Sequence, residues 1–93
     1  MKQRSLTSAQ IRAARALLRW RAQDLARESS VGVATIRRAE LTEAETSMTA
    51  ANDLAVRRAL ESNGVEFIDE NGGGPGVRLR KRKRVKKPKL PKG

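Results

Sequence analysis

Residues 78 to 93 carry ten Lys or Arg side chains and no acid, and Pro88 and Pro91 interrupt the run. A stretch with that density of like charge and so little apolar surface cannot bury a core, so a disordered basic tail is expected over 81 to 93. Residues 1 to 80 remain to make a fold. They suffice for one modest domain and are too few for a wide stability margin.

The rest of the chain is polarised. Residues 1 to 38 hold nine basic side chains against Asp24 and Glu28, a balance of +7. Residues 39 to 77 invert this, with Arg57 and Arg58 against eight acids, a balance of −6. Most of the net +11 therefore belongs to the tail, and the body is close to neutral. The 93 residues include neither Cys nor His. That excludes zinc fingers, thiol catalysis, disulfide scaffolds, Ser-His triads and imidazole acid-base chemistry. No nucleophile or acid-base pair stands out, so the expectation is a binding protein rather than an enzyme, with no cofactor and no metal. No apolar run reaches the roughly 18 residues of a membrane span. Met1-Lys2-Gln3-Arg4-Ser5-Leu6 leads into no apolar signal stretch, so a soluble cytoplasmic protein is expected.

The periodicity begins as helix and ends as strand. Thr7 followed by Gln10 has the form of a capping box, and Ile11, Ala14, Leu17 and Leu18 follow at helical spacing, predicting a helix over about 8 to 19. A short helix over 22 to 28 turns Leu25 and Ala26 inward and ends at Ser29-Ser30. Another over about 33 to 40 follows Gly32 and buries Ile36 and Ala39. Two short helices this close together predict a helix-turn-helix. The polar, acidic stretch 41 to 49 reads as a loop with at most one helical turn. A further helix over 50 to 62 turns Ala55, Val56, Ala59 and Leu60 inward and stops at Asn63-Gly64. Val65-Glu66-Phe67-Ile68 and Val77-Arg78-Leu79-Arg80 then alternate apolar and polar residues. They predict a β-hairpin over 65 to 68 and 77 to 80 or, alternatively, two extended segments packed separately on the helices. The intervening Gly72-Gly73-Gly74-Pro75-Gly76 is not a phosphate cradle. It joins strand to strand, and no Lys or hydroxyl follows it.

The stretch Gln23-Asp24-Leu25-Ala26-Arg27-Glu28-Ser29-Ser30-Val31-Gly32-Val33-Ala34-Thr35-Ile36-Arg37-Arg38-Ala39-Glu40 resembles the helix-turn-helix of the XRE family, the lambda-repressor and Cro-like regulators. Leu25, Ala26, Val31, Ile36 and Glu40 carry the matching spacing. Residues 11 to 16 and 49 to 80 look like a short bacterial subgroup of that family, so the resemblance covers nearly everything except the tail. The fold it implies is mainly α, a lambda-repressor-like bundle of four to five helices with a C-terminal hairpin. It divides the chain into a DNA-binding domain over 1 to 64, a hairpin over 65 to 80 that serves dimerisation, and the tail over 81 to 93. The chain departs from the family pattern at Ser30, where Gly is usual, at Arg21-Ala22, where Ser-Gln is usual, and at the acidic Glu43 and Glu45.

The resemblance implies a sequence-specific transcriptional regulator located at the nucleoid, binding double-stranded DNA as a homodimer on a two-fold related operator. Its second motif helix would enter the major groove, with Val33, Ala34, Arg37 and Arg38 facing bases and Arg21, Gln23 and Thr35 facing phosphates. Arg37 and Arg38 suit guanine, since one guanidinium donates to both O6 and N7. Arg15 and Glu40 align with a structural ion pair, and Trp20 with a packing position. Lys81, Arg82, Lys83, Arg84, Lys86 and Lys87 are expected to add contacts to phosphate that ignore sequence and weaken with salt. Two other readings stand beside this one. One is a protein-interaction module on the same fold, an antitoxin or antiactivator holding a partner through the acidic 39 to 77 region. The other is a non-specific nucleic-acid binder driven by the tail.

Overall fold

A computed structural model of the chain describes residues 6–42, 45–69 and 72–80. Among them run four helices and two strands: α1 (Ser8–Leu18), α2 (Ala22–Ser29), α3 (Val33–Ala39), α4 (Ala50–Ser62), β1 (Val65–Ile68) and β2 (Gly76–Leu79). The expected basic tail, 81 to 93, lies outside the described residues.

Each helix starts and stops for a local reason. Thr7 is extended, and its Oγ1 accepts the Gln10 N–H at 3.1 Å while Gln10 Oε1 accepts the Thr7 N–H at 3.0 Å, so both halves of the capping box form. α1 ends where Arg19 turns left-handed at φ 60. α2 begins after Arg21, whose backbone N–H donates to Asp24 Oδ2 at 2.8 Å. The arginine side chain has no acceptor and cannot complete a box. α2 ends at Ser30, again left-handed at φ 63. Ser29 supports that turn, donating from Oγ to Leu25 O at 2.7 Å and accepting the Val31 N–H at 3.2 Å. α4 starts at Thr49, whose Oγ1 accepts the Asn52 N–H at 3.1 Å, and stops at Asn63 ahead of Gly64 at φ 102.

The strands pair antiparallel with Val65 opposite Leu79 and Phe67 opposite Val77, so the two expected segments form a hairpin rather than packing separately. β2 starts and ends one residue earlier than the expected 77 to 80. Gly76 pairs with Ile68, and Arg80 falls beyond the strand although its N–H still donates to Gly64 O at 2.7 Å. The antiparallel register set by Gly64 and Arg80 decides the boundary here, not the alternation of side chains.

The core is built from Leu6, Ile11, Ala14, Leu25, Val31, Ile36, Val56, Leu60 and Val65, with Leu18, Trp20, Ala26, Val33, Ala55, Phe67 and Val77 packed at its edge. Leu17 departs from expectation and stands 39% exposed. At about 100° per residue the buried stripe through Ile11, Ala14 and Leu18 is centred roughly a quarter turn away from Leu17. α2 packs on both α3 and α4, and the hairpin lies against α1 and α4.

Candidate functional site

α3 is short and sharply two-sided. Ile36 and Ala39 are buried and Val33 packs on the core edge. Ala34, Arg37 and Arg38, spaced three and four residues apart, form the exposed side. Among the residues expected to face bases, Ala34, Arg37 and Arg38 are thus presented outward, whereas Val33 is partly spent on packing. Thr35 is half-buried, and its Oγ1 accepts a long hydrogen bond from Arg38 Nη2 at 3.4 Å. No ion pair or side-chain hydrogen bond engages Arg37 among the described residues.

The start of α2 holds a second basic group. Arg21, Gln23 and Arg27 are exposed. Asp24 ties both arginines, with Arg21 Nε at 3.6 Å and Arg27 Nη2 at 3.1 Å from its carboxylate oxygens. The Arg21 backbone N–H, with smaller help from the two guanidinium groups, holds the Asp24 carboxyl below its ordinary value. Four arginines, at 21, 27, 37 and 38, stand against Asp24 and Glu28 over this α2–α3 unit.

The last turn of α3 is gripped from α1. Arg15 Nε and Nη2 donate to Glu40 Oε2 and Oε1, both at 2.7 Å, a bidentate pair in which the Glu40 side chain is only 9% exposed. Arg15 Nη1 also donates to Trp20 O at 2.9 Å. The Glu40 hydrogen bonds raise the Arg15 pKa, against the opposing effect of burial. Two residues that the sequence did not single out join this grip. Ser8 Oγ donates to Ala39 O, and Arg12 Nη1 donates to Glu40 O at 2.5 Å. The only signal for them was their place beside Arg15, four and three residues apart at the margin of the apolar stripe.

The acidic segment turns out to be largely engaged. Glu40 is paired with Arg15, Glu61 with Arg57 at 3.1 Å and Glu66 with Arg78 at 2.7 Å. Arg57 also lies over the Phe67 ring, 4.9 Å from its centroid. Asp53 is partly buried and accepts Thr46 Oγ1–H at 3.0 Å and the Leu6 N–H at 3.3 Å, with burial pushing its carboxyl up despite those bonds. Glu45 and Asp69 are the acids left exposed and unpaired in this segment among the described residues. Glu43 and Glu70 lie outside them. No group of three or more Asp or Glu side chains placed to hold a metal occurs among the described residues, and no helix there is long and apolar enough to cross a membrane.

Compared with family models and with curated proteins, the chain finds no match in either.

Proposed function

We propose that the chain is a sequence-specific DNA-binding transcriptional regulator of the XRE, lambda-repressor-like kind. In this reading α2 and α3 act as the helix-turn-helix, and α3 enters the major groove. One observation carries it: α3 is fixed along its inner face and at its last turn while Ala34, Arg37 and Arg38 stand outward, with Arg37 free of internal partners among the described residues. A guanidinium so placed can donate to guanine O6 and N7, a contact worth about 1–3 kcal/mol of discrimination. Ala34 offers an apolar surface for a thymine methyl. Arg21 and Gln23 at the start of α2 suit phosphate, as does the half-buried Thr35 on α3. Of the acids a protein-interaction role would use, Glu40 is buried against Arg15, and Glu61 and Glu66 have their charge offset at the surface by Arg57 and Arg78.

The regulator acts as a homodimer on a two-fold related operator, because a single short helix reads too few base pairs for useful specificity. The hairpin offers strand edges for pairing across the two-fold axis. In vitro selection from random DNA tests the reading. A recurrent, two-fold related site is expected, and Arg37→Ala is expected to lose about 1–3 kcal/mol at that site and little on unrelated DNA. Failure to enrich any sequence, with Arg37→Ala weakening all DNA equally, would remove the specific-regulator reading. Recovery instead of one stoichiometric protein, in a complex that survives salt stripping the DNA, would replace it with the interaction-module reading.

A further inference from the structure

The last carbonyls of a helix have no partner within it. At the end of α3, Arg38 O accepts the Leu41 N–H at 3.1 Å, and the next two carbonyls are met from α1: Ser8 Oγ donates to Ala39 O, and Arg12 Nη1 donates to the cap carbonyl Glu40 O at 2.5 Å. Thr42 Oγ1 touches Ser8 Oγ and lies 3.3 Å from Ala39 O, with Glu45 O its nearer acceptor at 2.9 Å. With Arg15 on the Glu40 carboxylate, Ser8, Arg12 and Arg15 form one row along α1 directed at the end of α3.

α3 depends on such a grip. Its seven residues fall well short of the length at which a helix holds itself, and its N-cap is Gly32, which has no side chain to offer. Its body packs on α2, so α1 defines where its far end lies. Arg37 and Arg38 belong to the same turn as Ala39 and Glu40. Any looseness in the gripped carbonyls is therefore looseness in the two guanidinium groups, and bidentate recognition tolerates little change of angle.

We infer that Ser8 and Arg12 are positioning residues: they set the tilt at which α3 presents Arg37 and Arg38, and through it the discrimination among base pairs, without themselves touching DNA. This rests on α3 reading bases. Ser8 separates the inference from direct contact, because it is 1% exposed and out of reach of any ligand. Arg12 is at an exposed position, where the competing role is a phosphate contact.

The test uses the full chain and the site obtained by selection. Affinities for that site and for its single-base variants are measured over a salt series for wild type, Ser8→Ala, Arg12→Met and Arg12→Lys, with circular dichroism establishing that each is folded. Ser8→Ala and Arg12→Met are expected to reduce discrimination at the base pairs read by Arg37 and Arg38 by about tenfold, with the salt slope unchanged. Arg12→Lys keeps a donor within reach of Glu40 O and is expected to restore it. Unchanged base ranking in both variants overturns the inference. So does a slope shallower by about one in Arg12→Met with the ranking intact, which marks a phosphate contact. If Ser8→Ala fails to fold, Arg12→Met at its exposed position carries the test. A wild type that selects no site sinks the reading of α3 and the inference together, whereas a selected site with unmoved variants sinks the positioning role alone.

Discussion

Ser30 holds a backbone conformation that costs an L-residue energy, at φ 63, and among the described residues no hydrogen bond of its side chain offsets that cost. Glycine adopts it freely, although it also gains freedom in the unfolded chain. Ser30→Gly is expected to raise stability by about 0.5–1 kcal/mol, measured as a higher urea midpoint with an unchanged slope. Two aspartates set opposite pH responses. Asp53 has its folded pKa raised above the ordinary 3.8, chiefly by burial. In the window above 3.8 the folded state therefore holds more protons than the unfolded one, so this group's contribution to stability falls as pH rises. Asp24 has its folded pKa lowered from 3.8, first by the Arg21 N–H, so its contribution is full above that value and is lost as pH falls through the folded pKa. Chemical denaturation between about pH 3 and pH 6 is expected to show Asp53→Asn steepening the loss of stability on acidification and Asp24→Asn flattening it.

At the scale of elements, the Arg15–Glu40 pair is the strongest tie between α1 and α3. Glu40→Ala removes both carboxylate bonds and leaves the guanidinium only Trp20 O. With the Arg15 side chain 23% exposed, water softens the loss, and about 2–3 kcal/mol is expected in urea denaturation. The start of α1 and the stop of α4 were legible in the sequence because their causes are local: Thr7 with Gln10, and Asn63-Gly64, act within a few residues of themselves. The pair Arg37 and Arg38 comes from the family resemblance, and its exposure agrees with helical spacing, which sets both roughly 130° from the centre of the buried Ile36 and Ala39. What had no local signature stayed hidden. Ser8 meets a carbonyl 31 residues away and Arg12 one 28 residues away, and neither distance follows from any period. Val33 was expected to face outward, but the edge of the core claims part of it. The charge count of 39 to 77 shows a balance without its pairing, and two of the arginines that meet its acids, Arg15 on Glu40 and Arg78 on Glu66, come from outside the segment.

For the whole molecule, the proposal divides labour between a nearly neutral body that selects sequence and a basic tail that adds affinity. Truncation after Arg80 is expected to weaken binding at low salt and flatten its salt dependence while leaving the ranking of sites intact, as measured by competition titrations. A further long-range tie is Gln10, whose Oε1 completes the α1 cap while its Nε2 donates to Gly76 O at 3.1 Å, across a separation of 66 residues. Its consequence lies in time. Closing so long a loop costs chain entropy, and the cost falls once the helices in between have shortened the path, so the hairpin is expected to dock late in folding and to leave early in unfolding. The beginning of α1 and the second strand then open as one unit, and their amides exchange with solvent together, ahead of α2 and α4.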